Sequence, residues 1–449
     1  MNKLRSKNGS VLLLVMVALL LITTLYSAVV LYGSYHRRLA LQDVMDTQAF
    51  YMAESGIEAA VAKLNQESNY GLAFSGEVDS LKGYEVNVRP FGAYLLCESK
   101  GKAGTRDKTL RCLIGAVPED KFDNAINLGG QDYPLTLAGR TTIIGDVLVS
   151  PSGVLPGRFK GKRFGGKKLV FGEIKKSPNN RLPPFDDSII EQFQSEIDRI
   201  AFSSSREIDK TFILDDANWP EIQKDSLIEF NSGLIISINE KSLNMTGRHF
   251  KVNGNLVINE ISRVYGYGIV EVEGEVQIEG NCYLKDLIIL VDNDVEIKGD
   301  AVYAAQLIAK SKVEITENAT LSGNGVVVCL GEIADDERCV YLSGLKPCQG
   351  SILCDLENIN ANKPGHRNIM KTVDISPGSS FSGVIFNTGY SKVSGNISGN
   401  LSTGSFYMYD SPTVFINWLV DAAVESGDRL ETIPAVFAGG TGYAKIGGL

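Results

Sequence analysis

Two apolar positions recur together about every twenty residues in the second half of this chain of 449 residues. The first series advances by 20, 20, 19 and 18 residues, through Ile238, Ile258, Ile278, Ile297 and Ile315. The second advances by 20, 19, 18 and 20 residues, through Val252, Val272, Val291, Ala309 and Cys329. Because one such repeat is too thin to bury its own apolar side chains, repeats of this length stack and share a core. The period therefore predicts a right-handed parallel β-helix over residues 226–410.

The segments on either side of this array have their own patterns. Short β-branched runs between Gly-rich turns predict first β coils and a loop over residues 119–185. A helical insertion is predicted over 186–225, where Asp186 or Asp187 can cap a helix. Its apolar face would contain Ile190, Phe193, Ile197 and Ile200. Residues 411–449 predict a capping helix and a Gly-rich tail, which would cover the open strand edges.

A long stretch near the N-terminus contains no charged side chain and no histidine. It spans residues 8–35, and its apolar part, Val11 to Tyr32, would be about 33 Å long as a helix. A bilayer core is about 30 Å thick, so this segment is long enough to cross it. No second run of this kind follows. We therefore predict a single transmembrane helix over residues 10–33.

The helical pattern continues beyond the apolar stretch, over residues 34–68. Apolar and small residues recur there in steps of three and four, which places them on one helix face: Leu41, Met45, Ala49, Met52, Gly56, Ala60 and Leu64. The two segments together predict one helix of about 55 residues. Alternating runs over residues 69–118 then predict a small antiparallel β region, packed on the exposed half of that helix.

The start of the chain resembles a known family. Gly9 and Ser10 lie between a basic stub and the apolar stretch, and residues 49–60 read AFYMAESGIEAA. These features resemble the N-terminal module of PilX-type minor pilins and pilus assembly proteins. The resemblance implies that a prepilin peptidase cuts after Gly9, and that the N-terminal helices of sister subunits pack together. The residues implied in this packing are Leu14, Ala49, Met52, Glu54, Gly56 and Ala60.

One residue departs from the pattern of most major pilins. Five positions after the implied cut those proteins carry Glu, whereas this chain has Leu14. That Glu is thought to pair with the N-terminal amine of the next subunit. Its absence resembles the minor pseudopilins at filament tips. The resemblance therefore implies a low-copy tip or initiating subunit.

The seven cysteines include no CxxC pair, and histidine occurs only at positions 36, 249 and 366. We therefore expect no metal site. In an oxidising compartment the cysteines are candidates for disulfides, whereas in a reducing one they would be small buried apolar side chains. Two candidates lie on strand-like runs of the antiparallel region, and the last four cysteines of the sequence crowd into 26 residues. They are Cys97 and Cys112, and Cys329, Cys339, Cys348 and Cys354.

No constellation of residues predicts catalysis. The carboxylates Asp292 and Asp294 fall at a corner of the repeat, where Asp is a common turn residue. Nucleotide-binding and nucleophile motifs are absent from the sequence, so we expect no enzyme activity and no cofactor. The net charge of −9 argues against nucleic acid as a partner, because phosphate binding needs a basic face. The basic run from Arg158 to Lys168 is interpreted as a solvated loop.

The predicted fold is thus mainly β, with a pilin-like helix, a small antiparallel sheet and a β-solenoid. The predicted function is a minor pilin-like or assembly subunit of a type IV pilus or type II secretion-like system. Its helix, after the leader at residues 1–9, would anchor it in the inner membrane. The body would lie in the periplasm or on a filament and cap, adhere or bind a surface glycan or protein. Two alternatives stay open: a membrane-tethered carbohydrate-active β-helix enzyme, and a polymer-forming scaffold similar to bactofilins.

Overall fold

The computed structural model describes most of the chain. The described residues are 7–66, 70–130, 132–179, 181–197, 204–239, 241–330, 340–355, 371–428, 431–437 and 442–446. Within them the chain forms two compact units: residues 7–88 with 97–112, and residues 89–96 with 113–446.

The first unit begins with a single helix. Helix α1 covers Lys7–Leu64, 58 residues without interruption, which confirms the predicted continuous helix. The uncharged first half and the second half, with its apolar face, form one helix. Neither proline nor a glycine pair interrupts the sequence between them. The predicted boundary between residues 10–33 and 34–68 is therefore a change in the side chains on the helix surface, not an end of the helix.

The predicted antiparallel region is a sheet of five strands in the order β1 (Leu72–Asp79), β2 (Lys82–Phe91), β3 (Tyr94–Ala103), β4 (Arg106–Ala116) and β37 (Tyr443–Lys445). Leu72 lies opposite Val88 in the antiparallel pairing of the first two strands. Tyr443 lies opposite Ala116, so the end of the chain adds the last strand beside β4.

The second unit is a β-solenoid in which a typical coil contains three short strands. Equivalent strands of successive coils pair in parallel, as Leu227 does with His249 and His249 with Ile269. Three parallel sheets result, here called the first, second and third sheets. One coil comprises β15 (Leu227–Phe230), β16 (Leu234–Ile236) and β17 (Ser242–Asn244), one strand for each sheet in that order.

The following coils repeat this arrangement. Some strands are long enough to bend round a corner and serve two sheets. The strands are β18 (His249–Val252), β19 (Leu256–Ile258), β20 (Arg263–Tyr265), β21 (Ile269–Val272), β22 (Val276–Ile278), β23 (Tyr283–Val291), β24 (Val295–Ile297), β25 (Val302–Ala309), β26 (Val313–Glu317), β27 (Thr320–Leu321), β28 (Val326–Leu330), β29 (Val340–Gly344), β30 (Cys348–Asp355), β31 (Lys371–Ile375), β32 (Ser380–Val393) and β33 (Asn396–Asp410).

The structure confirms the second of the two repeating series. Val252, Val272, Val291, Ala309 and Cys329 occupy one column of the first sheet, each facing the next. The first series is correct from Ile258 onward, but its first member is wrong. Ile258 pairs with Ile236 rather than with Ile238. That coil is two residues longer, so a constant step of twenty points to the wrong isoleucine.

The coils formed by residues 119–185 extend the array at the opposite end from the one their place in the sequence suggests. Ile126 pairs with Leu401 of β33, next to the C-terminal coil. The strands and the short helix before them are η1 (Asp120–Asp123), β5 (Ile126–Leu128), β6 (Leu135–Ala138), β7 (Thr142–Ile144), β8 (Val147–Val149), β9 (Val154–Pro156), β10 (Arg158–Phe159), β11 (Lys162–Arg163) and β12 (Ile174–Lys176). The basic run is partly a hairpin, in which Arg158 pairs with Arg163.

The chain then crosses to the far end of the array. Helix α2 (Ser188–Ile197) lies in this crossing and buries Ile190, Phe193 and Ile197, as predicted; Ile200 lies outside the described residues.

The prediction of a helical insertion up to residue 225 is wrong, because a coil begins before that residue. It comprises β13 (Ser205–Ile208), β14 (Phe212–Leu214) and the short helix α3 (Trp219–Ile222). Along Ser205–Ile208 exposed and half-buried side chains alternate, which suits a strand. This strand pairs with Leu227–Phe230.

Part of the outer face of the first sheet is covered by other elements of the same unit. Phe386 points outward from this sheet and stacks on Phe185, with ring centroids 4.9 Å apart. Phe193 of α2 contacts Phe91, at the tip of the β2–β3 hairpin, edge to face at 5.9 Å. Gln306 fixes this tip: its side-chain amide donates to the carbonyl of Phe91 (2.9 Å) and accepts from the N–H of Ala93 (2.8 Å).

The predicted C-terminal capping helix is wrong. Residues 411–425 form strands, and a short helical turn follows: β34 (Thr413–Ile416), β35 (Trp418–Val420), β36 (Ala423–Glu425) and η2 (Ala435–Phe437). Asn417 and Asp421 have φ angles of 59° and 54°, which a continuous helix does not allow. The backbone of Trp418–Val420 pairs instead with Thr136–Ala138. The end of the array is therefore covered by coils, not by a helix.

Candidate functional site

The most distinctive surface of the chain is the first half of α1. Every apolar side chain from Val11 to Tyr35 in this half is exposed, and Leu14 is 70% exposed. The helix is long and apolar enough to cross a membrane. Gly9 and Ser10 lie in its first turns. An exposed apolar surface of this length needs lipid or neighbouring helices around it.

The second half of α1 packs on the sheet of its own unit. Ala49, Gly56 and Ala60 are buried in this contact, although the resemblance assigned them to contacts with other subunits. A Cβ atom added at Gly56 would lie 2.9 Å from Val86 Cγ2 and would also meet the Ser99 hydroxyl. These small residues let the sheet approach the helix closely. The prediction that they pack on sister helices is therefore corrected; Met52 and Glu54 are half-buried.

A different face of the second half remains open. Leu41, Val44 and Tyr51 are 50%, 52% and 56% exposed. Steps of three and seven residues place them on one side of the helix. This side continues the apolar surface of the first half, beyond the segment that would lie in lipid. A neighbouring helix can therefore reach this side of α1 outside the apolar stretch.

The six described cysteines are buried thiols, and Cys339 lies outside the described residues. Cys97 and Cys112 are hydrogen-bonded to each other, and this bond, together with burial, raises the pKa of Cys97 far above its ordinary value. Cys329 lies directly opposite Cys354 in the first sheet. Cys348 accepts a hydrogen bond from the N–H of Leu321 (3.4 Å). Disulfide formation by these residues stays a prediction.

The solenoid has an open groove of about 350 Å³ along one corner. Its lining comes from equivalent positions of successive coils: Asn259, Glu260, Glu279, Gly280, Lys298, Gly299 and Glu317. The groove follows a column of equivalent backbone positions in successive coils. At each of these positions, two places after a repeating isoleucine from Ile258 onward, the residue has a positive φ. These residues are Glu260 (63°), Gly280 (82°), Gly299 (75°) and Glu317 (59°).

The carboxylates of this groove are all engaged. Glu260 accepts a hydrogen bond from the Asn239 amide (2.6 Å), and Glu317 accepts one from the N–H of Gly299 (2.9 Å). Lys298 Nζ lies 3.5 Å from Glu279 and 3.1 Å from Glu296. The hydrogen bond with Glu296 is the main reason that the pKa of Lys298 is raised. Among the described residues, no group of three or more His, Cys, Asp or Glu side chains could hold a metal ion.

Comparison with known proteins adds little to this geometry. No family model matches the chain, and no curated protein matches it. A solved structure that aligns with it is the competence-associated pilin ComZ from Thermus thermophilus. The identity is 11%, the alignment covers 90% of this chain and 96% of that one, and the TM-score is 0.20. A score this low carries no argument about the fold.

The sequence reasoning missed the groove, although its signal is present in the repeat. It weighed Asp292 and Asp294 as candidate carboxylates. The structure places Asp292 in a pair with Lys310 (2.6 Å), and Asp294 accepts from Ser311 (2.6 Å). The groove glutamates Glu260 and Glu317 follow Ile258 and Ile315 by two residues. Reading the column two places after the isoleucine series would have found them.

Proposed function

We propose that the chain is a minor pilin-like or pilus assembly subunit of a type IV pilus or type II secretion-like system. Helix α1 anchors it in the inner membrane, and other pilin-like subunits pack against the face that contains Leu41, Val44 and Tyr51. The solenoid is the module that the anchor presents, on the periplasmic side or on a filament.

One observation supports this proposal above the others. An uninterrupted 58-residue helix has an exposed apolar first half, and its second half is packed on a small antiparallel sheet. A simple membrane anchor needs only about 20 residues. The extra helical turns are useful where subunits associate both in the membrane and above it. The Gly9-Ser10 junction at the start of the helix supports leader cleavage by a prepilin peptidase.

The first experiment tests processing. The full-length chain is produced in membranes with a prepilin peptidase, and its N-terminus is identified by mass spectrometry. We expect the wild type to begin at Ser10 and the Gly9→Val variant to keep its leader. Gly33→Val is the matched control, because a Cβ at Gly33 has nothing within 4 Å; it should be cut normally. A wild-type chain that retains residues 1–9 beside an active peptidase would overturn the proposal.

The groove favours a second candidate function, a carbohydrate-active enzyme. Three glutamates, Glu260, Glu279 and Glu317, lie along one corner of the solenoid, and glycoside hydrolysis uses a pair of carboxylates. Incubating the purified chain with a panel of polysaccharides tests this function. Release of reducing ends that is lost in both Glu260→Gln and Glu279→Gln variants would support it. Equal release by these variants would assign the activity to a contaminant.

A further inference from the structure

We propose that the third sheet of the solenoid binds an acidic polysaccharide on a flat patch of two tyrosines and two cations. This patch, called the tyrosine patch below, consists of Arg263, Tyr265, Tyr283 and Lys285. The inference deepens the display role and rests on it for its biological setting.

The register of the strands brings the four side chains together. Arg263 lies opposite Tyr283, and Tyr265 lies opposite Lys285, in the parallel pairing of β20 with β23. Positions two apart on a strand point to the same side, so all four side chains share one face. Val264 and Leu284, the residues between them, are buried in the solenoid interior. The patch therefore faces outward.

The two aromatic rings are available to a ligand. Tyr265 is 40% exposed and Tyr283 is 39% exposed. Each ring has a cation of the patch on one side in the sheet and a short residue on the other: Asn244 pairs with Tyr265, and Val302 pairs with Tyr283. The rings stand above these short residues. A flat, raised aromatic surface suits a polymer that lies across the sheet better than a small molecule that needs a pocket.

The charge of this face is positive, in a chain whose net charge is −9. The described outward positions from β17 to β27 include no carboxylate: Ser242, Asn244, Arg263, Tyr265, Tyr283, Lys285, Val302, Ala304 and Thr320. Arg263 is exposed, and Lys285 has a long ion pair of 3.8 Å with Asp286. A planar guanidinium pairs well with a carboxylate. The face therefore complements an anion.

Tyrosine rings and carboxylate-binding cations together match a sugar acid polymer. The apolar face of a pyranose ring stacks on an aromatic ring, and the phenol hydroxyl can bond a sugar hydroxyl. A single-stranded nucleic acid also stacks on aromatic rings, but its binding needs a positively charged groove that follows the backbone. The tyrosine patch has only two cations and is a flat surface rather than such a groove. These features favour the glycan.

Binding of polygalacturonate fragments by the purified full-length protein in detergent tests the inference. Dextran is the neutral comparison, and oligothymidylate is the nucleic-acid comparison. We expect the Tyr265→Ala/Tyr283→Ala variant to bind polygalacturonate at least about tenfold more weakly. We expect Arg263→Gln to weaken binding several-fold and to reduce its dependence on salt.

Tyr409→Ala is the matched control, because Tyr409 is also exposed, at 50%, but lies outside the patch. It should bind like the wild type, and all variants should keep the wild-type melting temperature. The inference is overturned if dextran binds as tightly, if the patch variants bind like Tyr409→Ala, or if oligothymidylate displaces polygalacturonate at equal concentration. Leader processing plays no part in this measurement, so its failure is distinguishable from failure of the proposed anchor role.

Discussion

Gly56 and Gly33 lie in the same helix but have opposite surroundings. Gly56 is covered by the sheet, with Val86, Ser99 and Tyr84 close to where a Cβ would be. Gly33 has open space around it. The identity of one residue in α1 therefore decides how closely the sheet can approach.

This contrast gives the first prediction, tested with alanine at both positions. Gly56→Ala should lower the free energy of unfolding of the first unit by about 1–3 kcal/mol, because the new methyl group overpacks the contact. Gly33→Ala should keep or raise helix stability, by up to about 1 kcal/mol. Chemical denaturation in detergent, followed by circular dichroism, measures both. Equal effects of the two substitutions would contradict the close approach.

Arg181 illustrates a second kind of residue, a buried charge without a carboxylate among its hydrogen-bond partners in the described structure. Its guanidinium donates five hydrogen bonds to backbone carbonyls, at 2.6 to 3.0 Å. The acceptors are Leu128, Gly129, Gly130, Ser177 and Pro178. All five donors are therefore used, and the arginine ties the start of the first coil to the segment that leaves β12.

The second prediction concerns this arginine. Arg181→Met should destabilise the solenoid by about 3 kcal/mol, because one buried and four partly buried hydrogen bonds to backbone carbonyls are lost. Arg163→Met, at an exposed position of the β10–β11 hairpin, is the control and should change stability by less than about 0.5 kcal/mol. Thermal unfolding measures the difference. Similar melting temperatures for the two variants would show that water replaces the guanidinium.

Individual residues could be predicted from the sequence where the repeat length is constant. Val252 and Val272 were aligned correctly because their coils differ by only one or two residues in length. Ile238 was misaligned because the coil that runs from Ile236 to Ile258 is two residues longer than a constant step of twenty allows. Gln306 could not be predicted to hold the β2–β3 hairpin, since its partners Phe91 and Ala93 are 215 and 213 positions away.

At the scale of elements, helices and strands were predictable where one pattern dominates. Helix α1 has a long uncharged stretch and α2 has an apolar face, and both form as expected. Residues 413–420 also have apolar residues at helical spacing, but they form β34 and β35. The backbone of a neighbouring coil offers hydrogen-bond partners there, and tertiary pairing overrides local propensity. The pattern alone does not contain that information.

The third prediction concerns how acid affects the contacts between the first and last coils. The ion pair of Asp421 with Lys162 (2.6 Å) and the hydrogen bond from the N–H of Arg140 lower the pKa of this carboxyl group. A lowered folded pKa means that stability is present above the ordinary value of about 4 and is lost as the pH falls through the folded pKa. Asp421→Asn should therefore reduce the acid dependence of the melting temperature below about pH 4.

The control for this experiment is Asp132→Asn, at an exposed loop position. It should keep the acid dependence of the wild type. Melting temperatures of the three proteins between pH 2.5 and 7, a range chosen around the ordinary carboxyl pKa of about 4, give the comparison. Identical pH profiles for Asp421→Asn and the wild type would contradict the role of this carboxylate.

At the scale of the whole molecule, the order of coils in space differs from their order in sequence. The coils of residues 125–176 follow the C-terminal coil, through the pairs of β5 with β33 and β7 with β36. The repeat predicted stacking, but it did not predict this order. Every coil of a solenoid presents the same kind of edge, so the sequence of one coil says little about which coil lies beside it.

The fourth prediction follows from this order. A chain that ends after Asp410 lacks β35 and β36, which pair with β6 and β7. Hydrogen exchange should then be fast in residues 125–176, because two of the three sheets lose their partner strands there. The middle coils, such as β21 to β26, should stay protected. A chain that lacks only residues 447–449 is the control, and equal protection of 125–176 in both would contradict the prediction.

The pairing of Asn127 with Ser402, 275 positions apart, also affects how this protein can be made. Translation releases the early coils long before their neighbouring strands exist. Contacts that distant form slowly, and unpaired strand edges associate with other chains in the meantime. The nascent body is therefore expected to depend on a holding chaperone until its last coil has emerged, and a stalled ribosome would leave the early coils unpartnered.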